Sequence, residues 1–359
     1  MLENREDDFM RRPQTGMLFA GEELVEHSGV RGLRYFRAGK SDCPLVVFLP
    51  GGVHLARISY GDPFSHRADF LDHWLEQKGI GLLALSYPTD HPSIGAIVPD
   101  LTIAGWANWI ASVTSDVLRE TPDRPVAVAM WSMAGRSVAA VNTALKARGI
   151  DAVCFLSLAA SPPIAGLNLV QQGGDPLTPD GLWTGGVYID GFLPSLSHQN
   201  QINGRRILDE QLYLEHYLCN TPVMLRGTSQ RFSDQGTFWN FEEAHDDMRA
   251  SSFSEFPLAA TISPTDRSDD GHALADPINW NFFNIQMIRS QARALDFDAG
   301  RWKELRALTR TLPSRLSRDV AGGHFFFVGA RGAEQTAHHI TELYSEVRSL
   351  RAEIRALLE

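Results

Sequence analysis

Residues 125–145 read PVAVAMWSMAGRSVAAVNTAL, and the reading of this stretch decides the fold. Val126–Ala129 is an apolar run without polar alternation, the pattern of a strand buried on both faces. It gives way at Trp131 and Ser132 to Met133, Ala134 and Gly135, and then to a helical pattern. A serine at such a junction has two uses. It can cap the helix N-terminus, or it can be thrust off the strand end as a nucleophile. The second use gains from the unpaired N–H groups and positive dipole end of the helix. It gains too from the C-terminal edge of a parallel sheet, where loops form a pocket. A turn that tight demands small residues two before and two after the serine. Ala134 meets the second demand, and the bulky Met130 does not meet the first.

Upstream, EELVEHSG and GLRYFRAG alternate as a hairpin-like pair closed by small turn residues. PLVVFLPGG is a buried strand ended by Pro50, Gly51 and Gly52, and SHRADFLDHWLEQKG carries apolar residues at helical spacing. IGLLALSYPTDHP is the next strand, and LTIAGWANWIASVTSDVLRETPD a long amphipathic helix. DAVCFLSLAASPP follows the serine-bearing unit as a further strand. Strands and helices alternating with short links predict an α/β chain with a doubly wound, mostly parallel sheet.

The regularity breaks after the fourth core strand. Residues 162–256 are rich in Gly, Pro, Asn and aromatics, with one clear helix around Arg206–Leu218. An apolar insertion of this length reads as a lid or cap. The expected organisation is a polar leader at 1–16, a core formed by 17–161 and 257–359, and the inserted lid at 162–256. Order resumes with FPLAATISPTD, two helices near 279–295 and 301–312, the segment SRLSRDVAGGHFFF and a long C-terminal helix.

The 359 residues are 43% hydrophobic and 21% charged, as in ordinary globular proteins. A net charge of −10 with no basic stripe argues against nucleic acid as a partner. Cys43, Cys154 and Cys219 are too scattered for a disulfide framework or a zinc site. The leader lacks the apolar centre of a signal peptide, and no apolar stretch is long enough to span a membrane. A cytoplasmic location is therefore expected, with a small acyl compound as the partner and no metal or other cofactor. The oligomeric state is left open.

The chain resembles the α/β-hydrolase family. The resemblance rests on MWSMAG as the nucleophile elbow, FLPGG after the third-strand position, AGGHFF near the end, and the order Ser, Asp, His. It covers roughly residues 20–350. The resemblance implies Ser132 as nucleophile and His324 as the base that takes its proton. The family places the orienting carboxylate after the penultimate strand, which points to Asp266, with Asp269 and Asp270 within a turn of it. A rival alignment on TPVMLRGTSQ ends at Gln230, which cannot stabilise an imidazolium. The oxyanion hole is expected from the amide of Met133 and from Gly52 or Val53 of the PGGVH loop.

His54 and His272 are the competing histidines, each read as structural or substrate-facing. Trp131, beside the serine, is read as packing under the loops, and with Trp183 and His54 is kept as a candidate substrate contact. Trp183, Tyr188, Phe192, Leu193, Tyr213, Phe238 and Trp239 could line a hydrophobic mouth or simply cement the insertion to the sheet. Arg226 and Arg57 could grip a carboxylate or phosphate but are read as surface arginines. The acidic run Asp266, Asp269, Asp270 with His272 fits no metal-ligand spacing. The expected activity is hydrolysis of an ester, thioester or lactone through an acyl-enzyme. The alternatives are acyl transfer on the same triad, a non-catalytic binding or receptor protein, and a lyase on the same scaffold.

Overall fold

The computed structural model describes residues 16–164, 167, 174–293 and 295–359. Most of the expected leader lies outside the described residues.

The first pair, β1 (Glu22–His27) and β2 (Val30–Arg37), forms the antiparallel hairpin that its alternation predicts. Next come β3 (Leu45–Leu49), α1 (Leu71–Gln77), β4 (Gly81–Ser86) and α2 (Ile103–Leu118). β5 (Val126–Trp131) runs through the short 3-10 segment Ser132–Ser137 into α3 (Val138–Lys146), and β6 (Cys154–Leu158) follows. Every residue of β3, β4, β5 and β6 is buried, which is why these strands read as continuous apolar runs.

The excursion contains two small antiparallel pairs, β7 (Leu182–Trp183) with β8 (Thr221–Pro222) and β9 (Gln230–Ser233) with β10 (Gly236–Trp239). It also holds the helices α4 (Ile189–Asn203), α5 (Glu210–His216) and α6 (Phe241–Asp247). The core resumes with β11 (Ala259–Pro264), α7 (Asp270–Ala292), α8 (Ala299–Arg315), β12 (Ser317–Val320) and α9 (Ala330–Leu358).

The central sheet has eight strands in the order β1-β2-β4-β3-β5-β6-β11-β12. β1, β2 and β4 pair antiparallel, and the remaining neighbours are parallel. Helices flank it, with α2 packed on α3 and α1 on α9. The chain order reverses at β3, which has β4 on one side and β5 on the other. Ligands bind outside the carboxyl ends of strands at such a switch point. The Gly-Gly loop leaves β3 there and Ser132 leaves β5 there, while the loops after β11 and β12 open at the same edge. This is the α/β-hydrolase fold that the sequence motifs imply.

Candidate active site

Ser132 sits at φ 53°, a left-handed conformation that side-chain-bearing residues avoid. A residue held there stores about 1–3 kcal/mol of strain, which the surrounding structure must overcome. Two bonds do so: the Ser132 N–H donates to the Ala159 carbonyl (3.1 Å), and the Ser161 N–H donates to the Ser132 carbonyl (2.9 Å). Glycines make the turn possible. A Cβ on Gly135 would lie 2.5 Å from the Ser161 oxygen, and one on Gly51 would lie 2.8 Å from the Ser132 Cβ. The mismatch at Met130 does not block the turn, since its side chain is fully buried within β5.

The oxyanion loop is held by a hydroxyl network. The Tyr87 hydroxyl donates to the Gly51 carbonyl at 3.0 Å. In a trans peptide the C=O and the following N–H point opposite ways, so the Gly52 N–H is aimed away from Tyr87. Thr221 Oγ1 stands 2.9 Å from Tyr87 and accepts the Val53 N–H at 2.7 Å. Val53 is therefore corrected as an oxyanion donor, because its N–H is already spent on Thr221. The Gly52 N–H has no acceptor among the described residues. Met133 lies in the first turn after Ser132, where N–H groups lack intrahelical acceptors. A Cβ on Gly52 would meet the Trp183 ring at 2.3 Å and Met133 Sδ at 3.3 Å, so the loop packs against the Trp183 and Met133 side chains.

His54 is not a substrate contact. It is 1% exposed, with Nδ1 on the Gly52 carbonyl (3.0 Å) and Nε2 on the Tyr213 hydroxyl (2.8 Å). Burial drives its pKa down to about 3, so the ring is neutral and locks the loop. Trp131 takes the packing role expected of it rather than that of a substrate contact. It is buried, and its indole N–H donates to the His324 carbonyl at 3.1 Å, with ring centroids 5.3 Å apart. It positions His324 rather than lining a mouth. Trp183 packs on Gly52 and donates to the Tyr188 hydroxyl at 3.2 Å.

His324 follows β12 through Gly322, whose φ of 132° and contact with Gln199 exclude a side chain. The Gln199 amide from α4 donates to the Phe325 and Val328 carbonyls (3.0 and 2.9 Å). The Thr265 and Asp266 N–H groups both donate to the Gly322 carbonyl, which ties the acid loop to the histidine loop.

The carboxylate that meets His324 belongs to Asp269, whose Oδ2 lies 2.9 Å from Nδ1. Asp266, the residue expected from the sequence, turns elsewhere. Its Oδ1 accepts the Ser268 N–H (2.7 Å), capping the 3-10 turn Arg267–Asp269, and its Oδ2 pairs with His198 (2.8 Å). That turn carries Asp269 round to the histidine. Burial raises the Asp269 carboxyl, but the hydrogen bond and charge of His324 more than offset this and leave it below its ordinary value. His272 stands beside the pair, its ring 5.4 Å from that of His324, with Nδ1 on both oxygens of Asp276 (3.0 Å each). Of the run Asp266, Asp269, Asp270 and His272, whose spacing fits no metal-ligand pattern, Asp269 and His272 come together. Asp269, His272 and His324 bring one possible metal-ligand atom each within 4.8 Å of one another, and His324 Nδ1 is already engaged by Asp269.

Ser132 Oγ makes no hydrogen bond among the described residues. The loops that carry Ser132, Met133, Gly52, His324 and Asp269 open at one sheet edge, and the indole of Trp131, next to Ser132, bonds the His324 carbonyl. Tyr87, Thr221 and Gln199 were not legible as contributors, since their bonds span 36, 168 and 126 residues of sequence. Arg57 and Arg226, read as surface residues, are both buried, paired with Glu22 and Asp175.

Among the described residues no helix is long and apolar enough to cross a membrane. No family model and no curated protein matches the chain in sequence. It is similar in structure to a soluble variant of monoglyceride lipase from Saccharomyces cerevisiae in complex with a substrate analog, with 11% identity and a TM-score of 0.48, covering 93% of this chain and 97% of that one. It is also similar to Est1E from Butyrivibrio proteoclasticus (12% identity, TM-score 0.43, covering 94% and 100%). A third is the thioesterase domain from the curacin biosynthetic pathway (11% identity, TM-score 0.40, covering 89% and 98%). At these identities the likeness is one of fold.

Proposed function

We propose that the chain is a serine hydrolase that cleaves a carboxylic ester, thioester or lactone through an acyl-enzyme. The observation that carries this reading is the 2.9 Å bond from His324 Nδ1 to Asp269, at the same sheet edge as a serine on a strained turn. With Nδ1–H donated to the carboxylate, Nε2 presents its lone pair and can take the serine proton. Ser132 Oγ then attacks the acyl carbon. The developing oxyanion is met by the N–H groups of Met133 and Gly52, donors already fixed before reaction. The imidazolium, stabilised by Asp269, gives its proton to the leaving alkoxide or thiolate. In the second half water attacks the acyl-enzyme, His324 again takes and returns the proton, and Ser132 is freed. The excursion at 162–256 acts as a fixed cap where it meets the oxyanion loop, through Thr221 and the Cys219 N–H to the Val53 carbonyl (3.0 Å).

Labelling with a fluorophosphonate, read by intact mass, tests the reading. A single adduct on the wild type that disappears in Ser132→Ala, together with turnover of activated esters or thioesters, is expected. Folded wild type that takes no adduct and turns over neither substrate would overturn it. Labelling without hydrolysis would move the chemistry to acyl transfer or to a lyase.

A further inference from the structure

Arg136 lies one turn beyond Ser132 and is 3% exposed. A guanidinium stays charged in proteins and normally finds carboxylates or carbonyls when buried. This one does not. Its Nη1 is enclosed without a partner, and its guanidinium makes no hydrogen bond or ion pair with any described residue. The fold nonetheless builds room for it. Gly227, at φ 62°, places its Cα against the Arg136 stem, where a Cβ would fall 3.0 Å from Arg136 Cδ.

The surroundings connect this cation to the site. Arg226 precedes that glycine, and its guanidinium lies 4.6 Å over the Trp183 ring, which itself rests on Gly52 of the oxyanion loop. Arg226 is paired with the buried Asp175, so of the two arginines one positive charge has no counter-ion among the described residues. On the other side, the charge of Arg136 reaches His272, whose ring neighbours His324. Arg136 is thus linked through Gly227, Arg226 and Trp183 to the Gly51–Val53 loop. Burial and the neighbouring Arg226 already pull its pKa down to about 9. An isolated buried cation of this kind is expensive, and a ligand anion would relieve it.

We infer that Arg136, with Arg226 beside it, forms a subsite for an anionic group on the substrate, a carboxylate or phosphate attached near the scissile acyl bond. The inference rests on the hydrolase reading and names its substrate class. The 3-10 segment rises about 2 Å per residue, so Arg136 lies about 8 Å along the chain axis from Ser132.

The test compares kcat/KM for half-esters of glutarate and adipate, corrected for spontaneous hydrolysis, with that for neutral butyrate and hexanoate esters of the same alcohol. The wild type is expected to favour the anionic esters at least tenfold. The ratio should fall to about one in Arg136→Met and be partly retained in Arg136→Lys. Free glutarate and inorganic phosphate, added separately to wild type, distinguish the source. Stronger inhibition by one assigns the subsite to a carboxylate or a phosphate tail. A wild type that turns over both ester classes equally and is inhibited by neither anion would overturn the subsite while leaving the hydrolase intact. So would an anionic preference that persists in Arg136→Met. If neither variant folds, the wild-type ratio and inhibition decide alone. Absence of both labelling and turnover would instead overturn the hydrolase reading itself.

Discussion

Replacing Asp269 by asparagine, with Asp266→Asn as its comparison, separates two carboxylates three residues apart that the structure places in different roles. Asp269 accepts from His324 Nδ1 at 2.9 Å, with 14% of its side chain exposed. Asparagine keeps the shape and loses the charge. Its amide can donate to Nδ1, which selects the tautomer with Nε2 protonated, useless as a base toward Ser132. The charge-assisted bond to the imidazolium, worth about 1.5–3 kcal/mol, is lost as well. Wrong tautomer and lost charge together predict a fall in kcat of about a thousand- to ten-thousandfold, or about 4–5.5 kcal/mol of transition-state stabilisation. Asp266 differs at each point. Its ion pair with His198 is solvent-accessible, with side chains 31% and 37% exposed. Its other oxygen caps a 3-10 turn, a task asparagine performs equally well. Asp266→Asn should therefore retain activity within about threefold, surface pairs contributing about 0–1 kcal/mol. Steady-state hydrolysis of an activated ester, with Ser132→Ala as the floor, measures both variants. An Asp269→Asn enzyme within tenfold of wild type, or an Asp266→Asn enzyme that falls as far, would refute the assignment.

Tyr87→Phe removes the hydroxyl that fixes the Gly51 carbonyl and accepts the His54 N–H. Turnover should drop about ten- to a hundredfold with little change in KM, and the unpaired buried groups should cost about 1–3 kcal/mol in stability. A rise in KM alone would show that the loop serves binding instead. Gly51→Ala, whose methyl would press on the Ser132 Cβ, should abolish fluorophosphonate labelling in a protein whose circular dichroism still reports the native fold. Undiminished labelling would contradict that geometry. His54 is neutral in the folded protein down to about pH 3 but titrates near 6.5 when unfolded, so its contribution to stability is intact above pH 6.5 and drains away as pH falls. Between pH 7 and pH 5 this amounts to about 2 kcal/mol. The stability advantage of wild type over His54→Gln in urea unfolding should shrink by that amount, and an advantage independent of pH would exclude a neutral, buried His54.

The sheet and the serine were readable because their signals are local: four strands buried throughout give uninterrupted apolar runs, and a turn at φ 53° needs glycines beside it. The choice among Asp266, Asp269 and Asp270 was not local. It depends on Asp266 capping the 3-10 turn, which swings Asp269 rather than its neighbour toward His324. His54 and Trp131 look like site residues in sequence because they adjoin the glycine loop and the serine, yet both are packing elements that hold the Gly52 and His324 carbonyls. The buried state of Arg57 and Arg226 depends on partners 35 and 51 positions away, beyond any short pattern.

The hydroxyl of Thr221 reaches across from the inserted segment to hold the backbone amide next to Gly52. The insertion is therefore not a detachable cover. An engineer who trimmed it to obtain a more open, promiscuous catalyst would slacken the very peptide that the proposed mechanism turns toward the oxyanion. Broadened access and lost rate would arrive together, and substrate range is better altered by recutting side chains than by shortening the chain.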